Sequence, residues 1–425
     1  MNFAVYLPLL RQAPVRRLLL VAVAARFPHA AAGVLLTLHI VETLGLGYAA
    51  AGTVAAVMTV GFATGAPWRG RRVDSAGLRR ALLPSVVGEA AIWSAAPFLP
   101  YSWLLVAALA GGILALPVFS VVRQCLGVLV APAQLRTAYA LDSIGTELTF
   151  MAGPAAGVLL ATQLSTALGL VLIGVSSAAA GLLLIWLNPP TRTPADTGDG
   201  AAPAIAPATP AAGRLRASFA WLTAGVAAVL AAAAGAGLLL TGTDVGIVAA
   251  LRQGGNVEQL GLVFLFWCGA SLVGGLLYGA LHRSVSPLVL LAVMGVLTIP
   301  LGLSSDPWTL SLLSIAPGLL CAPVLAAASE RVAALVPEDR RGEAMGWYGS
   351  ALTVGSALGS PLAGTVIDAA GARGGFAAVG TAAVVLALAG LAARSANRVR
   401  RRRLAPAAGS REEVPPGGEV SSPDR

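Results

Sequence analysis

Apolar stretches of roughly twenty residues alternate with short polar connections along almost the whole chain. A helix rises about 1.5 Å per residue, so one such stretch crosses the ~30 Å hydrocarbon layer of a bilayer. The pattern predicts spans at about 17–42, 47–68, 81–99, 103–126, 138–162 and 166–187, and a second set at about 223–251, 258–281, 286–304, 308–334, 343–368 and 374–394. The expected fold is an all-α membrane protein of twelve transmembrane helices in two pseudo-symmetric six-helix bundles, residues 1–188 and 217–395. Between them, 189–216 is a Pro/Ala-rich segment without a periodic apolar face and reads as a linker. Residues 396–425 open on a basic segment and are expected to be a disordered tail. Arg11, Arg16 and Arg17 ahead of the first apolar run resemble the start of a signal peptide, but the run continues to Val41 and further spans follow. It therefore reads as an uncleaved first helix.

Composition agrees with that picture and closes off others. The chain of 425 residues is 57% hydrophobic and only 11% charged, far from the balance of a soluble domain. Its formal charge of +9 is carried by arginine alone, for there is no lysine. The arginines are spread over many short connections rather than gathered on one face, which argues against nucleic-acid binding. They follow the positive-inside rule: of those in connections, Arg69, Arg71, Arg72, Arg79 and Arg80 among them, all but Arg252 and Arg373 fall on one side. That side is expected to be cytoplasmic, with both termini on it. The Ala/Gly/Arg bias fits a GC-rich bacterial genome and hence a bacterial inner membrane. Cys125, Cys268 and Cys321 are far apart in sequence, show no zinc spacing and suggest no structural disulfide.

The two halves echo one another. Gly153, Pro154 and Gly157 in the fifth span align with Ser360, Pro361 and Gly364 in the eleventh, an offset near 207. Gly52, Gly65 and Gly70 in the second align with Gly261, Gly274 and Gly279 in the eighth, an offset of 209. A parallel repeat of six-helix units is an architecture of secondary transporters.

The connection after the second span reads Gly70-Arg-Arg-Val-Asp74-Ser-Ala-Gly77-Leu-Arg79-Arg80. It resembles the signature loop of the major facilitator superfamily, with Gly70, Asp74, Gly77, Arg79 and Arg80 in register and Ser75 where the family usually has arginine. The corresponding segment of the second half, Gly279-Ala-Leu-His282-Arg283, has no acid, so a latch built on this loop is expected on one side only. The expectation is that Asp74 engages the N-terminal end of the eleventh span, aided by the helix dipole, and latches the halves in an outward-facing state. Gly153-Pro154-Ala-Ala-Gly157 is similar to the glycine-proline motif of antiporters in the superfamily, although Thr149 and Val158 stand where the fuller motif has glycine. Small residues allow close helix approach and proline bends the helix, and Gly355, Gly359, Pro361 and Gly364 supply the counterpart in the eleventh span.

Ionisable groups inside spans are costly and are candidates for function. Arg26, Glu89 and Glu147 each sit roughly ten residues from the arginine-rich end of their spans, near the midplane. A lone arginine there needs a counter-charge, so Arg26 is expected to pair with Glu147, with Glu89 as second candidate. Two readings stay open for such a pair, a structural ion pair and a proton carrier whose neighbour resets it. Asp142, about a turn inside the fifth span, and Asp244, in the outer part of the seventh, are further candidates. His29 shares the face of Arg26 and reads first as a satisfied bundle histidine. Arg123 resembles the arginine common in the fourth span of exporters, and Glu330 and Arg331 occupy the comparable place in the tenth.

Nothing points to an enzyme: there is no phosphate-cradling glycine loop, no nucleophile arrangement and no metal spacing, so neither cofactor nor ATP is expected. The expected function is a secondary active transporter of the major facilitator type, working as a monomer. It would export a hydrophobic or amphipathic small molecule in exchange for protons. Proton-coupled uptake of a sugar or organic acid is the alternative, with a membrane enzyme or sensor behind it. A mainly apolar cavity with one or two carboxylates would favour export; several polar or basic groups converging on it would favour uptake.

Overall fold

A computed structural model of the chain describes residues 5–192, 221–281 and 283–404. After a short helical turn, Tyr6–Arg11, the first half runs α1 (Ala13–Leu38), α2 (Tyr48–Ala76), α3 (Leu78–Ala95), α4a (Tyr101–Leu114), α4b (Val118–Leu129), α5 (Leu135–Gln163) and α6 (Thr166–Leu187). The second half runs α7 (Ala224–Gln253), α8 (Leu260–Gly279), α9 (Pro287–Thr298), α10 (Pro307–Leu335) and one long assignment, Arg341–Leu404. That assignment folds back at Gly371, whose φ of 69° and ψ of −178° lie outside the helical region, giving α11 (341–370) and α12 (372–404). Among the described residues ten helices are long and apolar enough to cross a bilayer; the fold at Gly371 divides one of them in two, and Pro287–Leu303 is a shorter apolar helix. That short span still reaches about 28 Å, because a 3-10 turn at Ile299–Leu303 rises about 2 Å per residue. The chain thus makes the twelve crossings that the hydropathy pattern predicts.

Each half is assembled by the same helix pairs. In the first, α1 packs on α5 and α6, α2 on α4a, and α3 on α6; in the second, α7 packs along the Arg341–Leu404 assignment, α8 on α10, and α9 against that same assignment. The halves meet where α2 lies along α11 and α5 lies against α8 and α10. Lipid offers no hydrophobic drive between helices, so these contacts depend on small residues that let backbones approach. Gly65 sits against the Ile113 backbone of α4a, and Gly274, at the predicted offset of 209, sits against the Leu319 backbone of α10. Gly153 and Gly157 of α5 abut Ala30 and Ala31 of α1, while Gly355 and Gly359 of α11 abut Ala234 and Leu238 of α7. The packing equivalent of Gly153 is therefore Gly359, an offset of 359 − 153 = 206, one residue off the Pro154–Pro361 register. Gly364 consequently faces open space, and Pro154 and Pro361 lie inside helices that stay unbroken.

Three features depart from the sequence reading. α2 continues to Ala76, so the signature segment is not a loop but the last turns of a helix, and Gly77 alone, at φ 77°, makes the turn into α3. Arg69 is accordingly buried in the bundle rather than placed in a connection. The fourth span is broken at Ala115–Pro117, where Pro117 lacks an N–H and forces the residue before it out of the helical region. α12 runs on past residue 395 to Leu404 through a helix-favouring Ala/Arg/Leu run that meets no proline before Pro406. Residues 193–220, which take in most of the expected 189–216 linker, and residues 405–425 of the expected tail lie outside the described residues.

The close approach of α11 to α7 gives a direct check. A methyl group added in Gly355→Ala would meet the Ala234 carbonyl, whereas Gly364→Ala meets nothing within 4 Å. The first variant should lose thermal stability in detergent, on the scale of about 1–3 kcal/mol for overpacking, and the second, which replaces a helical glycine without a clash, should melt at or slightly above the parent protein.

Candidate functional site

Three groups of buried polar side chains occupy the interior, and each arises from the way the helices face one another. In the first, Asp142 of α5 receives two arginines. Its Oδ1 lies 2.7 Å from Arg26 Nη2 of α1, a close ion pair without hydrogen-bond alignment, and its Oδ2 accepts from Arg123 Nε of α4b at 3.0 Å. Arg26 further stacks over Phe119 at 4.5 Å, and Arg123 donates to Ser329 Oγ of α10, so the cluster reaches across both halves. The partner of Arg26 is thus neither Glu147 nor Glu89. Residues 142 and 147 are five positions apart, about 140° around a helix, so only one of the two acids on α5 can face α1. A helical side chain also leans toward its own N-terminus, which carries the Arg26 guanidinium down to the level of Asp142. A carboxylate shared by two buried guanidinium groups, all three 2% exposed or less, serves first to make the arginines tolerable.

In the second group Glu147 points the other way, into the seam between the halves. Its Oε1 accepts from the Cys321 thiol of α10 at 3.1 Å, with Ser271 of α8 beside it. Asp244 of α7, an exposed residue, lies within electrostatic reach of Glu147. Among the described residues neither carboxylate has an ion-pair partner.

The third group surrounds the break in α4. Arg69 Nη1 of α2 donates to the Gly112 carbonyl at 2.9 Å and to the Ile113 carbonyl, both at the end of α4a. Glu89 Oε1 of α3 accepts from the Leu116 N–H at 2.6 Å and from or with His29 Nε2 of α1 at 2.7 Å. The cation thus sits on the carbonyl end of one half-helix and the acid on the N–H left open at the break, the arrangement that helix dipoles favour. His29, expected to be a satisfied bundle histidine, lines an open cavity of about 440 Å³ together with Gly33, Val34, Thr37 and Phe150.

On the arginine-rich face the halves are joined twice. Asp74 Oδ1 and Oδ2 accept from the N–H groups of Gly342 and Glu343 at 3.1 and 2.8 Å, the first turn of α11, and Gln124 Nε2 of α4b adds a bond of 2.8 Å. Gly70 allows this, because its Cα faces the Gly342 backbone with no room for a side chain. Arg71 pairs with Glu343 at 2.6 Å, and Arg79 donates to the Ile185 carbonyl at 3.3 Å while Arg80 is exposed. The second junction replaces the expected one-sided arrangement. Arg136, at the start of α5, makes a bidentate pair with Glu330 of α10 at 3.2 and 3.1 Å and donates to the Leu281 carbonyl at 2.7 Å. Thr137 donates to the Gly279 carbonyl at 2.8 Å. The second half supplies its acid from α10 instead of α8, which is why the signature segment at 279–283 looked vacant.

The geometry of two six-helix halves closed on one face agrees with the comparisons. Residues 18–305 and 254–423 match the profile described as Major Facilitator Superfamily. The chain belongs to this superfamily. Solved structures of the same fold include the human organic anion transporter MFSD10 (18% identity, TM-score 0.70, covering 89% of this chain and 99% of that one). Others are a bacterial homologue of the iron transporter ferroportin in an outward-facing state (17%, 0.66, 90% and 99%) and FucP in an outward conformation (15%, 0.65, 90% and 98%). At these identities they establish the fold. Among curated protein sequences none matches the chain. Members of this superfamily are transporters rather than enzymes, and the chain is a multi-pass membrane transporter of a small molecule.

The two acids on α5 can be told apart by stability. Asp142→Asn leaves two buried guanidinium groups without a counter-charge and should cost about 3–5 kcal/mol. Glu147→Gln removes a charge that no cation balances and should melt at or above the parent temperature. Thermal unfolding in detergent reads both, and an unaffected Asp142→Asn would refute the structural role.

Proposed function

We propose that the protein is a secondary active exporter of the bacterial inner membrane, with both termini cytoplasmic. It moves a hydrophobic or amphipathic small molecule outward by alternating access in exchange for protons. The observation that carries this reading is the distribution of charge around the pathway. Arg26 and Arg123 are consumed by Asp142 and Arg69 by the Gly112 and Ile113 carbonyls, whereas among the described residues Glu147, at the seam between the halves, and Asp244, within its electrostatic reach, have no cationic partners. The cavity between α1 and α5 is lined mainly by apolar or small side chains. Such a lining offers little to a sugar or an organic acid and suits an amphipathic solute with a proton-binding carboxylate nearby.

The closed arginine-rich face supports an outward-facing state, and Asp74 is its latch. A carboxylate at the first N–H groups of α11 combines charge-assisted hydrogen bonds with the helix dipole. Glu147 is positioned to move between proton and substrate as the seam between α5, α8 and α10 opens. The central linker ties into the same latch, because Arg192 donates to the Asp74 carbonyl and Gln124 to the Thr191 carbonyl. The protein completes the pathway as a monomer, since both halves are on one chain.

Purified protein in liposomes, screened with amphipathic solutes under an imposed pH gradient, tests the reading. Solute should accumulate against its gradient only when the proton gradient is present, and Glu147→Gln should lose that dependence. Asp74→Asn keeps one acceptor oxygen, so one of the Gly342 and Glu343 N–H groups faces an amide NH2 and loses a hydrogen bond of a kind worth about 1.5–3 kcal/mol. A loss on that scale shifts the closed-to-open population roughly tenfold or more. Flux should fall severalfold at unchanged membrane abundance, and normal flux would discard the latch.

A further inference from the structure

Glu89 and His29 do more than fill space, and the reason lies in counting hydrogens. The imidazole of His29 stands between two acceptors. Nδ1 is 3.1 Å from the Ala25 carbonyl and Nε2 is 2.7 Å from Glu89 Oε1. A carbonyl oxygen only accepts, as does an ionised carboxylate, while a neutral imidazole carries a single N–H. Both contacts are satisfied together only when the His29–Glu89 pair holds one proton beyond that single N–H. It resides on the ring, as imidazolium facing carboxylate, or on the carboxyl facing the Nε2 lone pair. Placed on Glu89 Oε2, it would meet no acceptor, since that buried oxygen has no hydrogen-bond partner among the described residues. The proton therefore lies along the line from Nε2 to Oε1. Once it leaves, a lone pair must face an acceptor at one end of the ring, and that contact is lost.

The two partners are not equally free to move. Glu89 is 1% exposed and is fixed by the Leu116 N–H at the break in α4, whereas the His29 side chain is 22% exposed and lines the cavity. The charged groups acting on the ring are Glu89 of α3 and Arg69 of α2. Arg26, one turn along α1, and Arg123 of α4b are both held by Asp142 of α5, Glu147 of α5 faces α8 and α10, and α6 carries no charge.

We propose that the His29–Glu89 pair is a proton-binding site open to the cavity, and that its occupancy is transmitted to the break in α4. With the proton bound, His29 is drawn to the carboxylate that caps the Leu116 N–H. With the proton gone, the single remaining N–H can serve only one end of the ring, so either the Ala25 or the Glu89 contact is given up, and in both cases the charge that held His29 to Glu89 is lost. α4b below the break carries Arg123 and Gln124, the residues that hold Asp142, Ser329 and the Asp74 latch. Proton occupancy at the cavity is thereby connected, through a discontinuous helix, to the contacts between the halves. The coupling part rests on the exporter reading; the proton site itself does not.

The test uses two readouts on the full-length protein in lipid. In the first, protein labelled with 15N-histidine is titrated by solid-state NMR, the His29 resonances being identified by their loss in His29→Gln. His29 should titrate in one step, and Glu89→Gln should move that step to lower pH because a neutral amide no longer favours imidazolium. The Gln variant keeps an oxygen for the Leu116 N–H, so the break in α4 and the fold persist. With 13C-glutamate labelling added, a pair in which neither the His29 nitrogens nor the Glu89 carboxyl changes from pH 5 to 9, or a titration unmoved in Glu89→Gln, overturns the proton site. In the second, proteoliposomes are assayed under an imposed pH gradient. Glu89→Gln and His29→Gln should lose gradient-driven accumulation while retaining solute exchange at zero gradient, and unchanged accumulation in both overturns the coupling. If the parent protein moves no solute under any gradient the exporter reading fails, and the NMR result still decides the site.

Discussion

In hydrocarbon a polar group must find its partner inside the protein, and that constraint shapes every part of this molecule. It makes each described span helical, so that backbone groups are satisfied within each segment. It decides the fate of the exceptions as well. Where Pro117 breaks α4, the freed Gly112 and Ile113 carbonyls are met by Arg69 and the freed Leu116 N–H by Glu89. Where two arginines enter the interior, one aspartate is placed between them. The buried charges are thus largely answers to one another, and the few that are not stand out.

Among the described residues Glu147, at the seam, and the exposed Asp244 have no ion-pair partner, and the His29–Glu89 pair satisfies both of its hydrogen bonds only with a proton bound. Two acids with different surroundings share a single helix: Asp142 and Glu147 differ by five residues of α5, and that rotation sends one into its own half and the other into the seam.

The two junctions on the arginine-rich face solve one problem with different chemistry. In the first, a carboxylate from α2 binds the open N–H groups of α11; in the second, an arginine at the start of α5 binds a carboxylate of α10. Both place opposite charge against the end of a helix that belongs to the other half. The repeat is faithful in helix pairing and free in side-chain detail, as expected when packing of small residues, rather than any particular ion pair, sets the architecture.

How much of this was legible beforehand depended on whether a property is local. The twelve crossings, the repeat and the bias of arginine to one side are carried by runs of about twenty residues, so the sequence alone determined them. Asp74 was legible too, because it stands in a segment that resembles the superfamily's signature, although only Gly77 makes the turn and Gly70 is helical. The partners were not. Which acid meets Arg26 depends on the rotation of α5 against α1, and the break in α4 needed Arg69 and Glu89 from two other helices to be tolerable. A lone proline within an apolar run, as at 154, 317 and 361, stays inside unbroken helices elsewhere. Only the tertiary structure decided these matters, since pairing in a bundle is set by helix rotation and depth, which no single span encodes.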